Sequence, residues 1–449
     1  MSGSCPPADP CLSWERPSEW PVFPASDPEE QKIVGLVAVE NTDMEYLALL
    51  CEGDYTVDWG DGTEPEDVTG GVKAEHSYDY ASLETSLLSY GYKTVLVVVT
   101  PQSGHDLTLV DFQKRHTLVG SQVSYLAKWL ELRLNIAACT ALTLGSSASE
   151  FSVTPPLRPV TLLGRLQSLS LRADSLSSLA SLCSYCFGLE HIVLTNTESV
   201  TNIYGMFYSC GKLRSAPLFT TSSVANSEFV FGYCGSLACI PDYDLSQATS
   251  IEGMFHDCCA LVEAPELTLA VVTNAASVFY RCYALRAVPL FNLSSATDIN
   301  HIFYGCTSLR EVPLFDFSSA GIMSAAFEKC RSLRTVPAFN TDSCYRIDRC
   351  FYDCLSLTVL PALNLANISS SGYMVDITTR TPSLNRSHMS GARYYQYYKD
   401  CPLSAAAINE IFTNLGTAAG TQTITITNCP GAATCDRSIA TAKGWTVVG

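Results

Sequence analysis

The chain has 449 residues, 47% hydrophobic and 16% charged, with a formal net charge of −17 and 20 cysteines. That apolar fraction supplies a buried core, and 27 Lys and Arg against 44 Asp and Glu leave few clustered cations to displace the counterions of a polyphosphate backbone. Wholesale disorder and a nucleic-acid partner are therefore excluded, and with apolar runs no longer than Val95 to Val99, far short of the roughly 20 residues that cross a bilayer, membrane insertion is not expected either.

In chain order, residues 1–32 read as an extended arm. Met1 to Pro7 lacks the basic and apolar regions of a secretory signal, so export, if it occurs, is expected by another route. Trp14-Glu15-Arg16-Pro17-Ser18-Glu19-Trp20-Pro21 is broken by proline and cannot form a helix. Such an arm suits docking on another surface, with Trp14, Arg16 and Trp20 as the attachment candidates. Cys5 and Cys11 could form a disulfide in an oxidising medium.

Residues 33–113 read as all-β, with strand-like runs Ile33 to Val39, Glu45 to Leu50, Tyr55 to Trp59 and Lys93 to Thr100. Val57-Asp58-Trp59-Gly60-Asp61-Gly62 carries a tight-turn signal and is followed by His76-Ser77-Tyr78. Asp54, Asp58 and Asp61 admit two readings. They could hold calcium, but without EF-hand spacing turn formation is favoured. His76 is read as a structural partner of the turn. The V-D-W-G-D-G and H-x-Y combination resembles the PKD-type immunoglobulin-like sandwich, which implies a β-sandwich here.

Residues 114–165 read as a linker and a degenerate cap, with Leu130 to Leu134 and Leu166 to Leu171 as atypical first coils. From 166 to 368 one pattern repeats. Cysteines stand at Cys186, Cys210, Cys234, Cys258, Cys282, Cys306, Cys330 and Cys354, always 24 apart. Three residues before them, from the second repeat on, stand Phe207, Phe231, Phe255, Phe279, Phe303, Phe327 and Phe351. A leucine follows three residues after each cysteine, and from Pro217 onward a proline follows seven after. A unit of this size cannot close its own core, so stacked coils in a solenoid are predicted. Each coil is expected to hold a short strand over Leu-x-x-x-Pro, ended by proline, and a tight turn or short helical segment before the cysteine. The thiols are read as small buried fillers with a weak S–H donor, since metal sites pair their cysteines closely.

This unit resembles the BspA-like, Treponema pallidum-type leucine-rich repeat, most closely at Phe303-Tyr304-Gly305-Cys306 and Phe351-Tyr352-Asp353-Cys354. Such repeats occur in surface adhesins and in viral structural proteins. The arm, the V-D-W-G-D-G module and the repeats together resemble an architecture of bacteriophage virion proteins.

Residues 369–402 are a Tyr- and Ser-rich atypical repeat or insertion containing Arg393-Tyr394-Tyr395-Gln396-Tyr397-Tyr398-Lys399. Tyrosine gives rigid contact area at low entropic cost, so Tyr394, Tyr395 and Tyr397 are recognition candidates. Tyr398 instead stands three before Cys401, at the Phe position, so part of the cluster is core. Residues 403–449 read as a C-terminal cap with Ser404 capping a helix over Ala405 to Leu415, a strand Thr423 to Thr427, and a closed sheet edge. Cys429 and Cys435 are a second disulfide candidate.

The expected fold class is mainly β with short helices: an immunoglobulin/PKD-like β-sandwich followed by a leucine-rich-repeat solenoid of 24-residue coils. No G-x-S-x-G, H-E-x-x-H or phosphate-loop motif is present, and Asp316 is an isolated carboxylate, so no catalytic, cofactor or metal residue is assigned. The expected function is that of a non-enzymatic bacteriophage virion protein, a tail fibre, neck or collar element, or head decoration. A bacterial cell-surface adhesin is the alternative. Residues 1–80 carry 18 Asp and Glu against 3 Lys and Arg, so the N-terminal module is the expected contact with other virion proteins. A host surface receptor and a homo-oligomer are further expectations.

Overall fold

A computed structural model describes residues 14–25, 27, 30–42, 45–119, 128–144, 163–369 and 381–449. Contacts divide the chain into two units, Met1–Val224 with Phe229–Pro241, and Ala225–Glu228 with Asp242–Gly449.

The first unit holds β1 (Lys32–Val39), β2 (Tyr46–Glu52), β3 (Tyr55–Asp58), β4 (Glu66–Val68), β5 (Lys73–Ser77), β6 (Lys93–Pro101), β7 (Leu109–Asp111), β8 (Trp129–Asn135), β9 (Ala141–Thr143), β10 (Ser168–Arg172) and β11 (His191–Thr195). They form a seven-stranded sheet, β11-β10-β8-β1-β6-β3-β4, and a four-stranded sheet, β5-β2-β7-β9. β1 is antiparallel to β6 and β8, whereas β8, β10 and β11 run parallel. The antiparallel module and the first coils therefore share one sheet, with β8 as the hinge between the two pairing modes.

β1 reads as a continuous apolar run because both its faces are covered. Val34, Leu36 and Ala38 pack in one cluster with Trp20, Phe23, Leu88 and Tyr92. Phe112, just after β7, meets Trp129 of β8 edge to face at 5.3 Å. A Cβ at Gly35 would collide with the Trp129 ring, so glycine is what lets the two strands pack there.

The arm docks on its own chain, which corrects the expectation of an attachment to another surface. Trp20 is 3% exposed. Arg16 Nε donates to Glu131 Oε2 of β8 at 2.6 Å, and its other nitrogens donate to the Trp20 and Pro21 carbonyls. Trp14 stacks on His191 of β11 at 5.1 Å. The reason is local: β1 and β8 present an apolar face that would otherwise be open to water, and the aromatic arm covers it.

The coils differ from expectation in their strands. The five-residue strands β10 and β11 occur where the chain lacks the repeat proline, Val193 standing seven after Cys186. Where proline is present, the pairing shrinks to single parallel bridges such as Ser215↔Cys239 and Glu263↔Ala287, because proline has no N–H to donate. Of the two expectations for the segment before each cysteine, a tight turn or a short helix, the turn is the one found. Residues five before it (Ser181, Gly205, Phe229, Gly253, Ser277, His301, Ala325, Arg349) and one before it (Tyr185, Ser209, Tyr233, Asp257, Arg281, Gly305, Lys329, Asp353) all have positive φ. Left-handed residues four apart forbid an α-helix and leave a string of turns. Those turns bond across coils instead: Ser277, Phe279 and Arg281 donate N–H to the carbonyls of Asn300, Ile302 and Tyr304 at 2.8, 2.9 and 2.7 Å.

All eight repeat cysteines and all seven phenylalanines are fully buried. Phe rings stack at 5.5 Å between Phe207 and Phe231 in the first unit, and at 5.5 to 5.7 Å from Phe255 to Phe351 in the second. Several of the thiols have a specific partner. Cys282, Cys306, Cys330 and Cys354 donate to the carbonyls of Phe255, Phe279, Phe303 and Phe327 at 3.0 to 3.1 Å, as Cys234 does to Phe207 in the first unit.

The second unit adds β12 (Tyr243–Leu245), β13 (Leu267–Leu269), β14 (Val359–Leu360), β15 (Arg386–Ser387), β16 (Gln396–Tyr397), α1 (Ala405–Asn414), β17 (Gln422–Thr425), α2 (Ser438–Thr441) and β18 (Trp445–Val448). Ser404 caps α1, its hydroxyl accepting from Ala407 N. The ladder continues past the sequence period. Thr381 Oγ1 donates to Phe351 O at 2.9 Å in place of a thiol, and Cys429 donates to Tyr398 O at 3.0 Å. β18 ends the parallel sheet β16-β17-β18, so it supplies an edge rather than the expected closure.

Candidate functional site

The residue two before each ladder cysteine forms a column on the turn side of the coils. In the first unit Tyr208 meets Tyr185 at 5.5 Å and Tyr233 at 5.3 Å, both edge to face, and clusters with Phe229. A Cβ at Gly232 would press into the Tyr208 ring, so glycine there lets the aromatic cluster close.

In the second unit the column is His256, Tyr280, Tyr304, Glu328 and Tyr352. His256 stacks on Tyr280 at 4.6 Å and Tyr280 on Tyr304 at 4.5 Å, their planes nearly parallel. Cations lie over these rings: Arg281 over Tyr280 at 5.1 Å, Lys329 over Tyr304 at 4.6 Å and Arg349 over Tyr352 at 4.4 Å. The stack breaks at Glu328, where a carboxylate stands in place of a ring.

A cavity of about 370 Å³ opens at that break, bordered by Tyr304, Asn300, His301, Glu328, Asp348 and Arg349 among others. Its charges are mutually paired. Arg349 reaches Glu328 at 2.9 Å and Lys329 lies 3.5 Å from the same carboxylate. Arg346 pairs with Asp348 at 2.8 Å, and Ser324 donates to Asp348 at 2.6 Å. Burial raises the Glu328 carboxyl above the ordinary range, and the neighbouring Arg349 and Lys329 only partly counter it. Burial likewise holds the His301 imidazole below its ordinary value, which keeps it neutral near pH 7. Asn300 Oδ1 and Arg349 Nε are buried with no hydrogen-bond partner among the described residues. The repeat pattern carries the signal for this site: reading the column two before the cysteine exposes Glu328 as the one carboxylate interrupting a run of rings.

The other candidates lie elsewhere. Tyr394, Tyr395 and Tyr397 are half-buried, with the Tyr395 and Tyr397 rings 6.1 Å apart. Tyr394 donates to Ser369 O, Tyr395 N to Gln422 Oε1, and Tyr397 belongs to β16. Tyr398 is 1% exposed, at the Phe position. The Cys429–Cys435 disulfide is corrected, since both thiols are free and Cys429 is a ladder donor. Cys5 and Cys11 lie outside the described residues. Asp54, Asp58 and Asp61 each serve a separate turn, accepting from Gly70 N, Gly60 N and Thr63 N respectively. His76 stacks on Trp59 at 5.0 Å and reaches Asp61 at 2.7 Å. Burial opposes the Asp61 charge, but its bonds to Thr63 and His76 outweigh this and hold the carboxyl below the usual range. Asp316 accepts from Ser318 N, again as a turn former. Among the described residues no three His, Cys, Asp or Glu gather as metal ligands, and no helix is long and apolar enough to cross a membrane.

A family described as "Mycoplasma protein of unknown function, DUF285" matches residues 175–288 and 273–387. No curated protein matches the chain. Among solved structures, a leucine rich cell surface protein from Faecalibacterium prausnitzii is 15% identical, the match covering 51% of this chain and 80% of that one with a TM-score of 0.25. The plant peptide hormone receptor RGFR1 in complex with RGF2 is 11% identical, with 59% and 68% covered and a TM-score of 0.16. This mainly β chain is thus similar to that family over its coils.

Proposed function

We propose that this is a non-enzymatic recognition protein displayed on a bacterial cell surface, binding its partner through the turn side of the coils in its second unit. The break in the stacked column at Glu328 carries the reading. At that position the run of rings gives way to a carboxylate beside a cavity of about 370 Å³ walled by charged side chains. A coil used only as scaffold gains nothing from such an opening, because an open gap forgoes packing contacts.

A second reading is the bacteriophage virion appendage. The N-terminal two-sheet module, read as PKD-like from its Trp59 turn and His76, combined with the arm and repeats, favours it. The docked arm removes one attachment device from that reading and leaves the acidic module as the contact to other virion proteins. Protease shaving of intact cells, followed by mass spectrometry, tests the choice. Coil peptides around Tyr304 and Tyr352 released from intact cells are expected. Recovery only in purified phage particles would favour the virion, and recovery only inside lysed cells would sink both.

A further inference from the structure

We infer that the cavity beside Glu328 binds a small carboxylate through Lys329, Arg346 and Arg349, a ligand class that rests on the recognition reading above. Charge and exposure at the wall point the same way. Those three cations stand with two carboxylates, Glu328 and Asp348, so one positive charge is in excess. His301, kept neutral near pH 7 by burial, leaves that balance unchanged. The two signs are also layered. The side chains of Arg346, Arg349 and Lys329 are 44, 43 and 37% exposed, against 18% for Asp348 and 3% for Glu328. A guest entering the cavity therefore meets cations, with their counter-charges set underneath.

The carboxylates orient the cations without covering them. Glu328 holds Arg349 at 2.9 Å, and Asp348, itself accepting from Ser324, holds Arg346 at 2.8 Å. Lys329 donates to the Tyr304 hydroxyl. Cations already oriented lose less freedom on binding than loose ones. The gathering belongs to this place in the repeat, since Gly305, Ile322 and Ala325 stand one coil earlier at the positions of Lys329, Arg346 and Arg349. A carboxylate matches the planar fork of a guanidinium and carries the single charge that is in excess. A phosphate ester, with close to two charges at pH 7, brings more charge than the excess and sets it against Glu328 and Asp348. A cation meets three like charges at the mouth. About 370 Å³ lies within the roughly 300–1,000 Å³ of small-molecule sites, which leaves room for the body that bears the carboxylate.

The test is saturation-transfer NMR on the full chain with two matched pairs, methyl glucuronide against methyl glucoside and lactate against lactamide, and with inorganic phosphate as a competitor. At least one acid is expected to receive saturation while its uncharged twin does not, and the pair that responds tells a sugar acid from a simple organic acid. Arg346→Gln and Lys329→Gln should each weaken binding roughly tenfold, as loss of one charged hydrogen bond does. Arg334→Gln, which removes an exposed arginine outside the cavity, should leave it unchanged. Melting curves establish that each variant is folded, and should Arg346→Gln not fold, Lys329→Gln decides alone. Absence of transfer to both acids, or equal transfer to an acid and its twin, overturns the inference. So does binding that the cavity variants leave unchanged or that Arg334→Gln weakens as much, and so does phosphate that binds more tightly than either acid. A carboxylate-binding chain missing from cell surfaces would defeat the function reading alone, and a surface chain that binds neither acid would defeat the ligand class alone.

Discussion

Replacing Cys306 by Thr and by Val separates hydrogen bonding from packing in the ladder. Cys306 is fully buried and its Sγ lies 3.0 Å from Phe279 O. Burial pushes this thiol far up, so it stays protonated and can donate. The same carbonyl already accepts Cys282 N at 3.1 Å. Thr and Val have nearly the same shape, so cavity and strain cancel between them and the donor alone remains. Thr381 performs this role naturally, donating to Phe351 O at 2.9 Å. If the second donor matters, Thr should be the more stable by about 1 kcal/mol. If the carbonyl is satisfied without it, the Thr hydroxyl is buried unmet and Val should win by about 1–3 kcal/mol. Hydrogen exchange at the amides around Phe303 to Leu309 reads the effect within the coil itself and is the assay. Exchange about fivefold slower in Cys306→Thr than in Cys306→Val is expected. Slower exchange in Cys306→Val would refute the donor role.

Phe303→Ala removes a buried ring stacked between Phe279 and Phe327 and should cost about 3–5 kcal/mol, against a much smaller loss for half-buried Tyr395→Ala; equal loss by denaturation would contradict the ladder. Lys128 Nζ lies 2.6 Å from Glu45 Oε2, with both side chains buried. Lys128→Met should therefore cost about 3–5 kcal/mol in chemical denaturation, and adding Glu45→Leu should recover part of it. Burial lowers the His116, His191 and His301 imidazoles below 6.5. A lowered folded value gives stability that is present above pH 6.5 and lost as pH falls toward the folded value, so melting temperature should drop on acidification. His191→Phe, keeping the stack on Trp14, should flatten that slope, and an unchanged slope would exclude His191 as a contributor.

The repeat was plain in the sequence because Phe, Cys, Leu and Pro each answer one packing demand at one fixed position. The turn geometry was not, because the left-handed positions hold Ser, Phe, His, Ala and Arg as readily as Gly. Bonds between coils hold these residues in place, and no local propensity announces them. Cys429 escaped for a related reason: α1 lengthens the step from Cys401 and hides the register that its bond to Tyr398 preserves. The arm was legible as extended but not as docked, since Trp14, Arg16 and Trp20 suit any apolar surface bordered by a carboxylate, and here Glu131 and β1 provide one in the same chain. The Glu328 site needed the column two before the cysteine, a position that varies too much to define the repeat.

Hydroxyl-radical footprinting of the protein on intact cells of its source, compared with the free protein, addresses the recognition face most directly. Protection is expected at Tyr280, Tyr304 and Tyr352, with Tyr394 and Tyr395 unchanged. Protection confined to Tyr394 and Tyr395, or to the N-terminal module, would contradict recognition through the column.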